Sequence, residues 1–180
     1  MLCAACIQQL PASAEDVRPA HIDRVYAGTA YGGIAKDLIA GLKFSGAQAA
    51  VGPMTARLLP LLPPERDLVV VPVPTAVSRV RNRGYDQARL LAHELSRRAQ
   101  LPYRDCLVRS GRTHQVGSSR EQRLRQLAGA FRVRDARRLR GRNILLVDDV
   151  LTTGATLESA ARAVREAGAA EVCAAVFARA

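Results

Sequence analysis

The segment spanning residues 144–156 combines acidic, hydroxyl-bearing and flexible residues in an order that suits a sugar phosphate. An apolar strand (144–147) is followed by two carboxylates, Asp148 and Asp149, and then by a Thr/Gly loop that leads into a helix. Such a loop offers unpaired N–H groups to an anion, and its threonine hydroxyls add further donors. Carboxylates repel a bare phosphate and suit hydroxyls or a metal ion instead. The segment therefore predicts a ligand with a sugar diol at one end and a phosphate at the other, which describes a ribose 5-phosphate.

A simpler interpretation of this segment stays open. An Asp-Asp pair after a strand also occurs as an ordinary loop start, and Thr-Thr-Gly is a common turn with a helix N-cap. The uninterrupted order of strand, acid pair, loop and helix favours binding. The predicted ligand contacts are Val147, Asp148, Asp149, Val150, Leu151, Thr152, Thr153, Gly154, Ala155 and Thr156.

Three arginines at alternate positions follow the proline-rich stretch 71–74: Arg79, Arg81 and Arg83. In an extended segment this spacing places all three side chains on one face. Guanidinium groups on one face would neutralise a pyrophosphate. The alternative is a solvated basic loop.

A polar and basic stretch between residues 109 and 131 has the length of a lid that orders over a ligand and excludes water. The candidate lid residues are Arg109, Arg112, His114 and Gln115. His114 is a candidate general acid or base, but as a lone loop histidine it is better explained as a solvent or phosphate contact.

Strands and helices that must position these groups alternate along the chain. Apolar runs predict strands at 25–31, 68–73, 107–109, 130–133, 143–147 and 172–178. Helical spacing predicts helices at 34–44, 47–62, 84–100, from Ser118 onward, and at 157–167. We predict an α/β fold with a mostly parallel open sheet flanked by helices and with the ligand at the carboxyl edge of the sheet.

Size and composition limit the class of protein. With 180 residues, of which 48% are hydrophobic, the chain can bury one good core. No apolar run approaches the roughly 20 residues that span a bilayer, and the N-terminus lacks the pattern of a secretory signal. The four cysteines do not suggest a disulfide framework, which favours the cytoplasm.

The net charge of +11 is concentrated in one part of the chain. The segment 79–142 holds 18 arginines against Asp86, Glu94, Asp105, Glu121 and Asp135. This excess predicts an anionic partner, either a pyrophosphate or a nucleic-acid backbone. A compositional bias towards arginine over lysine would explain part of it.

Five segments, taken in order, resemble the ComF (competence protein F, GntX-like) family of the type I phosphoribosyltransferase superfamily. They are Leu42-Lys43-Phe44, the Pro-Val-Pro stretch, Arg83-Gly84-Tyr85-Asp86-Gln87, the Arg112-Thr113-x-Gln115 loop and the segment 144–156. His114, Ser118 and Gln126 stand where the family usually has Pro, Leu and Asn.

This resemblance implies a protein that binds phosphoribosyl pyrophosphate (PRPP). Asp148 and Asp149 would contact the ribose hydroxyls and, partly through the ligand, Mg²⁺, while the following loop wraps the 5-phosphate. The implied activity is transfer of a phosphoribosyl group to an unknown acceptor, in a role in DNA uptake with single-stranded DNA and a helicase partner. The alternative is a non-catalytic PRPP- or nucleotide-sensing module. A homodimer is left open.

The N-terminal segment contains one Cys-x-x-Cys pair, Cys3 and Cys6. The family resemblance implies a four-cysteine zinc module, and one pair supplies only two of the four ligands of structural zinc. We therefore do not expect bound zinc in this chain. The predicted organisation is a module remnant at 1–20 followed by a phosphoribosyltransferase-like domain at 21–180. That domain divides into a hood-like part at 21–65 and a core at 66–180.

Overall fold

The computed structural model describes residues 7, 9–13, 18–63, 67–109 and 129–180, and it is built around an open, parallel four-stranded sheet. The strands in chain order are β1 (Arg24–Ala30), β2 (Leu68–Pro72), β3 (Leu107–Arg109), β4 (Phe131–Val133), β5 (Asn143–Leu151) and β6 (Glu171–Arg179). The four-stranded sheet has the order β1-β6-β5-β2, and all three of its pairings are parallel. Strands β3 and β4 form a separate antiparallel pair.

Helices lie on both faces of this sheet. They are α1 (Gly33–Phe44), α2 (Val51–Leu58), α3 (Val77–Arg83), α4 (Gln87–Ala99) and α5 (Ala155–Glu166). Each face is covered because successive side chains of a strand point to opposite sides. In β5, Leu145 and Val147 pack with α1, α2 and α4, whereas Ile144 and Leu146 pack with α5 and the β3–β4 pair.

The predicted α/β fold with a parallel sheet is confirmed. One difference is the segment 47–62, which is not a single helix. A 3₁₀ turn precedes α2 and a second one, Leu59–Leu61, follows it. Pro60 lies in that second turn, and the lack of a proline N–H interrupts regular helical hydrogen bonding.

Strand β1 lies within the predicted hood segment 21–65, yet it pairs with β6 of the sheet. Helices α1 and α2 of the same segment pack on one face of the sheet. The domain boundary at residue 65 stays a prediction. None of the helices in the described ranges has the length and apolar character needed to span a membrane.

Candidate functional site

The acid pair lies within β5, at its carboxyl-terminal end. The strand was predicted to end at Val147, but it continues in register with β6 to Leu151. Adjacent residues of a strand point in opposite directions, so Asp148 and Asp149 meet different surroundings. Asp148 is half-buried and lines the loop that follows, whereas Asp149 is buried and faces α1.

Asp149 forms an ion pair with Lys43 from the last turn of α1. The distance from Lys43 Nζ to Asp149 Oδ2 is 2.6 Å, and both side chains are largely buried. A buried carboxylate needs a partner of opposite charge, and Lys43 provides it. This contact ties α1 directly to the acid pair.

Asp148 lies in surroundings that favour its neutral form. Burial, the charge of Asp149 and the charge of Asp86 raise its pKa well above the usual range, although Lys43 and the N–H of Asp149 oppose this. That N–H donates to Asp148 Oδ1 at 2.8 Å. A cation bound here would favour the charged carboxylate and so lower this pKa.

The Thr/Gly loop forms a small cradle at the N-terminus of α5. It encloses a cavity of about 30 Å³, roughly twice the volume that one ordered water requires, lined by Asp148 and residues 150–157. Gly154 precedes the helix with φ +76°, a conformation that favours glycine. The cradle therefore combines threonine hydroxyls with the free N–H groups of a helix start, which suits a phosphate group.

The arginines at 79, 81 and 83 do not lie on an extended segment, so that prediction was wrong. They belong to α3, which ends at Gly84 with φ +81°. In a helix, residues two apart point to nearly opposite sides, so Arg81 is separated from the other two. The helix can form there because no proline falls between Val77 and Gly84.

Arg109 at the end of β3 brings a second positive charge to the site. Burial and the nearby charge of Arg79 lower its pKa, while the charges of Asp148 and Asp86 act in the opposite direction. Arg109 thus interacts electrostatically with both Arg79 and Asp148. Arg109 also borders an open cavity of about 250 Å³, lined by Pro74, Thr75, Val77, Val80, Asp86, Arg89, Leu107, Val108, Arg109 and Arg134.

Sequence reasoning missed the roles of two charged groups of the site, one basic and one acidic. Lys43 was recognised only as part of a motif, and its contact with Asp149 joins distant parts of the chain. Asp86 is buried, caps α4 through the N–H of Ala88 at 3.0 Å, and accepts from the N–H of Thr75 at 2.9 Å. An Asp immediately before a helical pattern is a signal for such a cap.

An aromatic–arginine pair lies beside Lys43. The guanidinium carbon of Arg83 is 5.2 Å from the ring centroid of Phe44, and Phe44 is 76% exposed. The Tyr85 hydroxyl donates to the Leu42 carbonyl and fixes the end of α1. Arg83 also donates to Gln87 Oε1 at 3.0 Å. The end of α1 is therefore held against α3 and α4.

Several predicted site residues lie outside the described part of the chain. These are Arg112, His114 and Gln115 of the proposed lid and Cys3 and Cys6 of the zinc pair. Within the described ranges, no cluster of three or more His, Cys, Asp or Glu side chains could hold a metal ion. The donor set of Asp148 and Asp149 still fits Mg²⁺, which commonly uses one or two carboxylates together with substrate phosphates.

A model of one family matches more than half of the chain. The phosphoribosyl transferase domain matches residues 85–180, which include α4, β5, the cradle and α5. The chain belongs to the phosphoribosyl transferase domain family.

Curated competence proteins are also similar to this member of the family. The chain is 37% identical over 105 residues to competence protein ComFC of Bacillus subtilis, covering 58% of the chain and 41% of the relative. It is 37% identical over 106 residues to competence protein F of Haemophilus influenzae, covering 57% of the chain and 46% of the relative. The resemblance to the ComF family is confirmed, although the match spans less than half of each relative.

Two solved structures were found to be similar to part of this chain. A glutamine PRPP amidotransferase from B. subtilis, complexed with ADP and GMP, matches with 24% identity and a TM-score of 0.47, over 73% of this chain and 26% of that one. A structure described as the allosteric regulatory enzyme of purine biosynthesis matches with 20% identity and a TM-score of 0.45, over 73% and 25%.

Proposed function

We propose that this protein binds PRPP together with Mg²⁺ and transfers its phosphoribosyl group to an acceptor. The observation that carries this proposal is the continuous path from the acid pair on β5 into the cradle at the start of α5. Membership of the phosphoribosyl transferase domain family supports it.

Each part of PRPP has a matching group in the site. The 5-phosphate fits the cradle, whose N–H groups and hydroxyls are donors. The ribose hydroxyls would donate to Asp148 and Asp149. The pyrophosphate would lie towards Arg109, which interacts with the charge of Asp148, and towards Arg79, which interacts with Arg109. Asp148 would contribute an oxygen to Mg²⁺, which when bound supplies positive charge to the leaving pyrophosphate.

The reaction breaks the bond between C1′ of the ribose and the pyrophosphate oxygen, and the pyrophosphate leaves with the electron pair. The acceptor then supplies the pair that forms the new bond at C1′. Positive charge develops on the ribose as the bond breaks, and the carboxylates of Asp148 and Asp149 would stabilise that charge. The arginines would stabilise the negative charge on the leaving group.

The acceptor side of the site is proposed to include Phe44. Its exposed ring lies 5.2 Å from the Arg83 guanidinium carbon, and Phe44 directly follows Lys43, the partner of Asp149, in α1. A flat ring with an adjacent guanidinium suits a planar acceptor, because aromatic groups and arginine both stack on π systems.

We expect Phe44→Ala to remove the contribution of a planar base to binding. A nucleoside 5′-monophosphate should bind the wild type about five- to tenfold more tightly than ribose 5-phosphate, as expected for a stacking contact of roughly 1 kcal/mol. In Phe44→Ala the two affinities should converge, while Phe44→Tyr keeps the difference. Calorimetric titration of both ligands measures this, and an unchanged difference in Phe44→Ala would contradict the stacking role.

The test of the main proposal is a titration with PRPP and Mg²⁺, followed by a search for pyrophosphate release with candidate acceptors. We expect binding in the wild type and none in the double variant Asp148→Asn, Asp149→Asn. The variant Asp135→Asn is the control, since Asp135 lies on the surface beside Arg137 and Arg138. Equal binding by the double variant and the wild type would refute the proposal.

A second candidate function is a PRPP- or nucleotide-sensing module of a DNA-uptake machinery. The names of the two competence relatives support it. The ion pair between Asp149 and Lys43 also supports it. If a ligand binds Asp149, Lys43 is released from this pair, and its release can change the structure of the end of α1. Ligand binding without pyrophosphate release from any acceptor would favour this function.

The remaining expectations about partners and compartment are also proposals. Single-stranded DNA and a helicase are the partners that a role in DNA uptake suggests, and the arginine excess supports the former. A homodimer stays open. A cytoplasmic location is compatible with the buried thiol of Cys106, which forms no disulfide among the described residues.

A further inference from the structure

A short segment before β1 lies across the start of α5. Pro19 packs against Gly154, where an added Cβ would stand 3.1 Å from Pro19 Cγ. The backbone N–H of His21 donates to Glu158 Oε2 at 3.1 Å, and His21 Nδ1 is hydrogen-bonded to Glu158 Oε1. Asp23 fixes the end of the segment, since its N–H donates to the Val172 carbonyl at 2.8 Å. Residues 18–23 therefore contact both the cradle and the helix behind it.

Glu158 is the single acidic residue in the first turn of α5. Its backbone N–H donates to the Gly154 carbonyl at 2.8 Å, which places it one turn beyond the cradle glycine. Its side chain is only 14% exposed. A carboxylate in a first turn is attracted to the positive end of the helix dipole and to free N–H groups. These are the same groups that a phosphate in the cradle would use.

The partner that Glu158 takes is distant in sequence. Arg162 lies one turn further along α5, at a spacing that commonly gives an ion pair, but no ion pair in the described ranges joins Glu158 to Arg162. Both carboxylate oxygens accept hydrogen bonds from His21 instead. The carboxylate is thus directed towards the segment 18–23.

We propose that His21 is a positioning residue of the phosphate cradle. It holds both oxygens of Glu158 and so prevents this carboxylate from competing with, and repelling, a phosphate monoester at the start of α5. The inference rests on the proposed function for the identity of the ligand. His21 lies before the first strand of the sheet, and it would act on the ligand through Glu158.

The test is a double-mutant cycle with ribose 5-phosphate as the probe, measured by calorimetry on the full chain. His21→Ala removes the Nδ1 contact to Oε1 and keeps only the backbone N–H bond to Oε2, so it should weaken binding about fivefold, as expected for a carboxylate that can turn towards the ligand. Glu158→Gln should bind at least as tightly as the wild type. The double variant should match Glu158→Gln, because without the carboxylate His21 has nothing to restrain.

A purely structural role of His21 gives a different pattern. In that case the double variant would bind as weakly as His21→Ala, and that result would overturn the proposal, as would an unchanged affinity in His21→Ala. His21→Asn is the folding control, since its amide can replace the Nδ1 donor and should retain wild-type affinity. If the wild type binds neither ribose 5-phosphate nor PRPP, the proposed function fails; if it binds but the cycle shows no rescue, only the role of His21 fails.

Discussion

Asp148 and Asp149 are neighbours in sequence, yet each has a different electrostatic environment. Asp149 is held by Lys43, whereas burial and the charge of Asp149 push Asp148 towards its protonated form. A ligand that carries a cation would meet one carboxylate already held by Lys43 and a second whose charged form the cation would favour. These surroundings disfavour the charged form of Asp148, so they lower the stability of the free protein at a pH where this carboxylate would otherwise be ionised.

We expect Asp148→Asn to stabilise the free protein while abolishing ligand binding. The raised pKa means that the folded state binds the Asp148 proton more tightly than the unfolded state does, so this residue lowers stability progressively as the pH rises above the unfolded pKa, near 4. The variant should therefore be more stable than the wild type at pH 8, and the two should have similar stability at pH 4. Urea unfolding at both pH values measures this difference, and a pH-independent difference would count against it.

Lys43 is expected to influence the pH at which Asp148 becomes charged and can bind a cation. Its charge lowers the pKa of Asp148, so Lys43→Met should raise that pKa further and move ligand binding to higher pH. Calorimetric titration with PRPP and Mg²⁺ at a series of pH values gives the profile. Lys36→Met is a matched control on the exposed side of the same helix, since the chain has only these two lysines. Identical profiles for the two variants would exclude this role.

At the scale of elements, the parts that could be predicted are those specified by local pattern. Apolar runs predict strands where β2, β5 and β6 form. The order of acid pair, loop and helix predicts the loop that forms the cradle. The path of α3 could not be predicted from alternate arginines, because the same spacing fits an extended or a helical segment. The partner of Asp149 could not be predicted because it depends on how α1 packs against the sheet.

The cradle depends on the backbone conformation of Gly154. Gly154→Ala should destabilise the protein by about 1 kcal/mol or more and should abolish ribose 5-phosphate binding, since alanine disfavours φ +76° and its Cβ would press on Pro19. Gly141→Ala is the control, because Gly141 has φ +69° but an added Cβ meets nothing within 4 Å. Thermal unfolding and calorimetry of both variants separate the backbone cost from the loss of the cradle. Retained binding in Gly154→Ala would show that the loop is not the phosphate site.

For the whole molecule, the arginine excess is partly neutralised by local ion pairs. Arg97 and Arg98 pair with Glu94, and Arg137 and Arg138 pair with Asp135. The hydrogen bonds from Arg97 and Arg98 lower the pKa of Glu94 to about 2. Other arginines of the same segment, including Arg132 and Arg140, have no ion-pair partner among the described residues and are exposed. Exposed charges of this kind are available to a polyanion.

We expect single-stranded DNA binding to weaken steeply as salt concentration rises, because the arginines would displace counterions from phosphates. The double variant Arg132→Gln, Arg140→Gln should reduce the slope of log affinity against log salt by about one to two. Fluorescence anisotropy with a labelled oligonucleotide at several salt concentrations measures the slope. The variant Arg97→Gln is the control, since Arg97 already pairs with Glu94. Salt-independent affinity would assign these arginines a role in solubility alone.

The acid pair on β5 also has a consequence for cooperativity. Two hydrophobic cores lie on opposite faces of the sheet, one with α1, α2 and α4 and the other with α5. Asp149 reaches the first layer through Lys43, and Asp148 borders the cradle of the second. A ligand that contacts both carboxylates joins the two layers across a single strand. Ligand-bound protein should therefore unfold as one unit, and local opening of α1, seen by hydrogen exchange, should become as rare as opening of α5.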